Sequence, residues 1–436
     1  MANGVWYSNQ SYPGQKICKT VKHHENGEIE IVGISDSGNS YHKGRLPASY
    51  LIPQDDPQYN KDGTNALGIN GYMLNSRCWI YDAGLTLLVF KNAGDYDICE
   101  EMQKRLAQEQ NKDGSFNFSY DLYIGQLFQG YVRTGSIGWV VWGMCYYALQ
   151  KNDRQFLPMI IKAADWLCGR QIKDPNDLRN GLLTGGYGAY KEPDYSYVDT
   201  EIEWCSIEHN CSSLQALHDV YLLTGDRRYS DAADSIKAAL MRTAYDPVNK
   251  RFVQGVSSDG LDGAWAIDCC TWAGKQSISI AGTQIAKDCA ATAYNEFFVT
   301  GKTILNSTNK EHYNTTYKID TPVDGFKPYS NRDGGYNGAP EIVWTEGTLG
   351  YCALQAALGN WSEVSRLLEE VIKIQNCTNS TGGVLYVTET HSSLPWEFHV
   401  WESVVSSAWL YLVVKCPETL FPIIHPRPSE NRSDII

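Results

Sequence analysis

Tyr81-Asp82-Ala83-Gly84 opens an apolar run in which Leu85, Leu88 and Val89 follow helical spacing. A second run with Ile98, Met102 and Leu106 follows after Gly94-Asp95. The pair stops at Asn111-Lys112-Asp113-Gly114-Ser115-Phe116, a turn signal. An acid at the head of an apolar helix, a break and a second helix together read as a helical hairpin with a marked start.

The plan recurs along the chain. Further runs begin at Ser136-Ile137-Gly138-Trp139, Glu208-His209-Asn210, Asp268-Cys269-Cys270-Thr271-Trp272, Glu346-Gly347-Thr348 and Glu402-Ser403-Val404. Counted from Asp82, Ser136, Glu208, Asp268, Glu346 and Glu402, the starts lie 54, 72, 60, 78 and 56 residues apart, so the unit persists while its connections vary. Residues 136–150 pair with 154–170, 208–223 with 227–243, 268–281 with 283–299 and 346–358 with 361–375, and a last helix covers 402–415. The first helix of each pair is apolar and rich in small residues (Ala83-Gly84, Gly138, Ser212-Ser213, Ser406-Ser407-Ala408), as crowding near an axis requires. The second carries charge (Glu100, Glu101, Lys104, Arg105; Glu363, Arg366, Glu369, Glu370), as a half-solvated outer face does.

Five hairpins and an eleventh helix predict an all-α ring over residues 71–420. Before it comes a polar, turn-rich section, 1–70, in which Ile29-Glu30-Ile31-Val32-Gly33-Ile34 reads as a strand, and after it a tail, 421–436. The twelfth helix is not visible in the pattern: either the N-terminal section closes the ring or the last hairpin is incomplete. An open helical solenoid is the structural alternative. Over roughly residues 78–415 the arrangement resembles the six-hairpin (α/α)6 toroids of glycosidases and sugar epimerases. The resemblance implies a catalytic toroid acting on carbohydrate at the rim where the inner helices begin.

Composition narrows the alternatives. The 436 residues carry a net charge of -13, which excludes the electrostatic footprint of a nucleic-acid or anionic-membrane binder. No run reaches the roughly 18 apolar residues of a membrane helix. The first residues show neither a basic nor an apolar signal-peptide region, so a cytoplasmic setting is expected. Thirteen cysteines are an odd number, lie mostly inside apolar runs and form no Cys-x-x-Cys pair, which fits buried free thiols better than disulfides or zinc. Nine Asn-x-Ser/Thr sequons, Asn306, Asn314, Asn360 and Asn376 among them, follow from an Asn- and Thr-rich composition. No dinucleotide fingerprint, Walker loop, metalloprotease motif or nucleophile elbow is present, and no cofactor is expected. Asp259-Gly260-Leu261-Asp262-Gly263 is too short for an EF-hand loop.

Acids at successive inner-helix starts meet across an axis without being close in sequence, and glycoside hydrolysis needs two carboxyl groups flanking one bond. Glu208, Asp268 and Glu346 are the candidate catalytic residues. Each also has a plain reading as a first-turn acid facing the helix dipole or, for Asp268, as an N-cap, with Thr345 capping ahead of Glu346 and Ser206 ahead of Glu208. Asp82, Arg133, His209, His399 and Glu402 are candidate substrate-binding residues at the same rim. Trp139, Trp204, Trp265, Trp272, Trp344 and Trp401 offer faces on which sugar rings stack, although about half of such tryptophans are expected simply to fill the core. Tyr187 belongs to a glycine-spaced tyrosine loop, Gly185-Gly186-Tyr187-Gly188-Ala189-Tyr190, of the kind that binds ligands.

The reading reached is a glycoside hydrolase with Glu346 or Glu208 as acid and Asp268 or another rim carboxylate as base. The alternatives are a sugar epimerase or isomerase using His209 and His399, and a non-catalytic glycan-binding scaffold. A lyase or terpene cyclase on a related ring fits less well: Arg133 is the one basic residue beside a helix start, and the carboxylates are many.

Overall fold

A computed structural model describes residues 18–23, 29–35, 45–53, 56, 77–122, 125–126, 131–191, 196–305, 317, 319–378, 381–391 and 398–422. Eleven α-helices occur among them: α1 (Ile80–Ala93), α2 (Tyr96–Glu109), α3 (Thr134–Lys151), α4 (Leu157–Gly169), α5 (Ile207–Thr224), α6 (Arg227–Ala239), α7 (Ile267–Ala281), α8 (Thr283–Phe297), α9 (Thr345–Ala357), α10 (Trp361–Gln375) and α11 (Val404–Lys415). The odd-numbered helices form an inner ring in which each packs on the next, and α11 packs back on α1. The ring is therefore closed, and the open solenoid is excluded. Even-numbered helices cover it outside, each against the inner helix before it. No described helix is long and apolar enough to cross a membrane.

Hairpin turns follow the breaks in the pattern. Gly94 (φ 85°) and Gly225 (φ 73°) end α1 and α5 in the left-handed conformation, and Asn152 (φ 52°) does so for α3. At the opposite end the sequence did not announce what the structure contains. Short antiparallel ladders grip the entry of every inner helix: Arg77–Trp79 pairs with Ser119–Asp121, Val132–Arg133 with Gly186–Lys191, Cys205–Ser206 with Gly255–Val256, and Trp265–Ala266 with Tyr329–Ser330. Trp344 forms a bridge with Val387, and Glu402–Ser403 is flanked by Val384–Leu385 and Tyr50–Leu51.

The described N-terminal residues join both ends of the ring. The Ser49 hydroxyl accepts a hydrogen bond from the Trp79 amide at 2.8 Å and the Ser49 carbonyl accepts one from the Val404 amide at 2.9 Å, tying the entries of α1 and α11 together. After α11 no twelfth helix appears among the described residues. A 3-10 turn, Pro417–Thr419, leads instead to Phe421, buried under the ring. Farther upstream, Cys18–His23 and Ile29–Ser35 pair as an antiparallel ladder, which includes the expected strand.

Small residues permit the crowding. A Cβ on Gly84 would lie 2.5 Å from the Trp139 backbone, and one on Gly143 would lie 2.4 Å from the Gly84 carbonyl oxygen, so α1 and α3 touch backbone to backbone. Deeper along the axis Trp139, Trp142, Trp272, Trp409 and Phe421 interlock, with Trp139 on Trp142 at 4.6 Å and Trp272 on Trp409 at 5.7 Å, both stacked. Phe421 packs within 5.1–5.4 Å of Trp272, Trp142 and Trp139. Each such ring removes about 150–250 Å² from water, so the plug adds a compact block of apolar burial on the axis. Twelve described cysteines are free thiols, eleven of them buried, and burial pushes them up and away from reactivity.

Gly84→Ala is expected to destabilise the fold by about 1–3 kcal/mol, because the backbone of α3 cannot retreat without opening the ring. Gly169→Ala, where an added methyl meets nothing within 4 Å, is expected to stay within about 0.5 kcal/mol. Urea midpoints of the two variants against wild type check this; equal midpoints would contradict the crowded seam.

Candidate active site

Because every inner helix enters from a pinned ladder, all six start at the same end of the ring. Asp82 on α1, Glu208 on α5, Asp268 on α7 and Glu346 on α9 lie in first turns there. None is an N-cap. The capping positions belong to Trp79, Ser206, Ala266 and Trp344, and only Ser206 of these uses its side chain, accepting from the His209 amide. The Thr345 hydroxyl, expected to cap ahead of Glu346, donates to the Leu385 carbonyl at 2.7 Å instead. The acids are thus free of helix-capping work.

Their charges act on one another across the axis. Asp268 feels Glu208 and Glu346, and Glu346 feels Glu208 and Asp82. Burial, then like charge, holds Asp268 well above the usual carboxylate range. Burial pushes Glu346 up to about 8 against an opposing hydrogen bond from Tyr81, and pushes Glu208 and Asp82 to about 7. A helix N-terminus favours a carboxylate by about 0.3–1 kcal/mol, whereas raising Glu346 from 4.5 to about 8 corresponds to a penalty on the order of 5 kcal/mol. Desolvation wins, so these acids are not there to steady helices. Glu208 keeps the most contact with solvent of the four, and the buried Asp268 Oδ1 has no protein partner.

An aromatic arc stands beside the carboxyls. Tyr336 packs on Tyr329 at 4.3 Å, Tyr329 on Phe398 at 6.4 Å, Phe398 on Tyr386 at 6.0 Å, and Tyr386 on Tyr50 at 5.7 Å; Tyr50 meets Trp79 and Trp401 edge-on. Tyr329 senses the charges of Asp268 and Glu208, and Tyr386 those of Glu346 and Asp82, which sets the arc against the carboxyl cluster. Tyr81 lies at the cluster itself: its phenol donates to Glu346 Oε1 at 2.6 Å and accepts from Trp409 Nε1 at 2.8 Å.

Several rim candidates have other employment. Trp139 and Trp272 belong to the axial plug, where packing rather than a ligand occupies their faces. Trp265 is fully buried, donates to Asp333 and is flanked by the Arg251 and Arg332 guanidinium groups at 3.9 and 4.5 Å. Arg133 donates to the Val132, Tyr187 and Gly188 carbonyls and lies 3.6 Å over Tyr131, so it secures the tyrosine hairpin. Glu402 accepts from the Tyr317 and Thr381 hydroxyls and packs over Gly383, where a Cβ would collide with its carboxylate. In these five, contacts within the protein engage the indole faces, the guanidinium and the carboxylate.

The remaining candidates stay at the rim. Trp204 is half-exposed and lies over Gly255, where any side chain would strike its indole. Trp344 forms an edge contact with Tyr386 at 6.4 Å. Trp401 donates to Asp56 at 2.8 Å and stacks on His399 at 4.0 Å. Tyr187 is half-buried and bonds Asp199. His209 presses against Gly135, whose missing side chain makes room for the ring, and burial with the Arg133 charge lowers it to about 3. That contact explains why the α3 start carries Gly135-Ser136 in place of an acid.

Tyr50, Tyr81, Tyr329, Tyr336, Tyr386 and Trp409 were not singled out from sequence. Tyr81 carried a signal, since it sits beside Asp82 in the repeated start. Tyr329 and Tyr386 lie in connections with no period to follow.

No protein-family model matches the chain, and no curated protein matches it in sequence. Among solved structures it is similar to a D-mannose isomerase (TM-score 0.55, 13% identity, 79% of this chain and 87% of that one). It is also similar to a cellobiose 2-epimerase from Bacillus thermoamylovorans (0.54, 11%, 77% and 85%) and to a glycosidase (0.51, 12%, 80% and 90%). At these identities the likeness shows the fold, the (α/α)6 toroid, which isomerases, epimerases and glycosidases share.

Asp82, Glu208 and Glu346 titrate higher folded than unfolded, so their contribution to stability is full below about pH 4 and is lost as pH rises through 7 to 8. The melting temperature of the ligand-free protein is expected to fall between about pH 5 and pH 8, and that of Glu346→Gln to fall less. Parallel curves in differential scanning calorimetry would show that Glu346 is not desolvated as described.

Proposed function

We propose that the protein is a carbohydrate-active enzyme that hydrolyses glycosidic bonds at the carboxyl cluster. The observation that carries this reading is the meeting of Glu208, Asp268 and Glu346 beside an aromatic arc, with Glu346 held mostly protonated at neutral pH. A general acid must hold its proton until the leaving oxygen needs it, and a group titrating near 8 does so at pH 7. Its partner must be ionised in the same range. Glu208, at about 7 and the most solvated of the cluster, suits that role better than Asp268.

In the proposed reaction Glu208 takes a proton from a water whose oxygen attacks the anomeric carbon, while Glu346 protonates the departing glycosidic oxygen. Asp268, protonated and with an unpartnered Oδ1, binds a sugar hydroxyl. The arc from Tyr336 to Trp401 offers aromatic faces and edges to the pyranose rings of an oligosaccharide.

Histidine chemistry has weaker support. His209 stays neutral down to about pH 3 and cannot serve as the protonated member of an acid–base pair near pH 7. His399 has one face covered by Trp401.

Reducing-end release from a panel of glycans is expected for wild type and to drop about 10²–10⁴-fold in Glu346→Gln and in Glu208→Gln. Asp268→Asn is expected to raise KM more than it lowers kcat. Unchanged mass with altered sugar composition in the products would replace hydrolysis by epimerisation.

A further inference from the structure

Three inner helices that are distant in sequence meet at one phenol. Tyr81 on α1 donates its hydroxyl proton to Glu346 Oε1 on α9 at 2.6 Å, and its oxygen accepts the indole N–H of Trp409 on α11 at 2.8 Å. Both Tyr81 and Trp409 are held by packed rings. The Trp409 indole lies 5.7 Å from Trp272 at an interplanar angle of 17°, and the Tyr81 ring stands edge-on to Trp139 at 5.1 Å. Trp409 is fully buried, so its N–H has no water to turn to.

The direction of the bonds follows from the donors available. An indole N–H only donates, so the Tyr81 oxygen accepts from it and the phenolic proton is left to point at Glu346. An oxygen that accepts from Tyr81 is a poor seat for the carboxyl's own proton. We propose that Trp409 and Tyr81 form a positioning relay that fixes the Glu346 carboxyl, keeping Oε1 as acceptor and Oε2 as the oxygen that carries and delivers the proton. The relay rests on the reading of Glu346 as the acid. Neither Trp409 nor Tyr81 exchanges a proton with substrate; both act through Glu346, and both bonds stay in place while Oε2 loses and regains its proton.

The relay also opposes the cluster's electrostatics. Facing Glu346 are Asp82 from α1, Glu208 from α5, Asp268 from α7 and Tyr386 from the segment bridged to Trp344. The pocket raises it by desolvation and Glu208 and Asp82 raise it by charge, whereas the Tyr81 and Trp409 hydrogen bonds lower it. Without the relay, Glu346 would keep its proton to a higher pH and release it less readily to a leaving group.

The test is a carbon-13 titration of glutamate-labelled protein, with Glu346→Gln assigning the Glu346 signal, run on wild type, Tyr81→Phe and Trp409→Phe. Tyr81→Phe is expected to move the Glu346 midpoint upward by about one pH unit, since it removes a hydrogen bond to a charged group. Trp409→Phe keeps a ring on Trp272 and is expected to move the midpoint the same way by about half as much. On a cleaved glycan, the alkaline limb of kcat is expected to shift with the midpoint, and kcat to fall about 10-fold at little cost in KM.

A Glu346 midpoint unchanged in Tyr81→Phe overturns the relay, whatever happens to activity. Should that variant fail to fold, an unchanged midpoint in Trp409→Phe overturns it. If wild type cleaves no glycan, hydrolysis is refuted while the titration still decides whether the relay exists.

Discussion

The structure depends on one constraint: six helices must converge on an axis with their N-termini at the same end. Helix packing contributes, as where α1 and α3 meet at Gly84 and Gly143, but it does not by itself bring six starts to one end. Registration comes from the entries. Each inner helix leaves a ladder residue whose backbone is bonded to a neighbouring connection, as with Trp79 to Ser119 or Trp265 to Ser330. Once entries are pinned, the second or third residue of each helix must face the same space. Ser49 extends the scheme across the seam between first and last helices, where no hairpin connection exists.

That geometry has an energetic consequence. Packing acids where helix dipoles converge looks favourable, since each N-terminus contributes up to about 1 kcal/mol toward a carboxylate. The same convergence removes water and brings like charges together, and the shifts of Asp82, Glu208 and Glu346 to 7–8 show which effect is larger. The fold therefore bears a cluster of acids that oppose its own stability near neutral pH. The axial plug of Trp139, Trp142, Trp272, Trp409 and Phe421 supplies apolar burial one to two turns below, and through Trp409 and Tyr81 it reaches up to the cluster.

The ring was legible in the sequence because helix period and hairpin breaks are local signals. Leu85, Leu88 and Val89 repeat at helical spacing, and Gly94 and Gly225 sit where left-handed caps were needed. Four acids were legible for the same reason, as they mark the head of each apolar run. What lay beyond reach depends on partners far along the chain. Nothing local distinguishes Glu402, bonded to Tyr317 and Thr381, from Glu346, which faces the axis. Nor does sequence tell that Arg133 is tied to carbonyls 54 and 55 residues away. Tryptophans divide by position along the helix: Trp344 precedes α9, whereas Trp139 lies five residues into α3, more than a turn deeper.

Closure has a consequence for how the molecule comes into being. Tyr81 finds Glu346 across 265 residues and Trp409 across 328, while Trp401 finds Asp56 across 345. Before α11 is in place, α1 and α9 lack the helix that packs between them, and Tyr81 lacks the donor that Trp409 supplies. The contacts that join α11 to α1 therefore carry the largest loop-closure cost in the ring. A chain lacking α11 keeps all four acids and loses the indole N–H that anchors Tyr81 on Glu346.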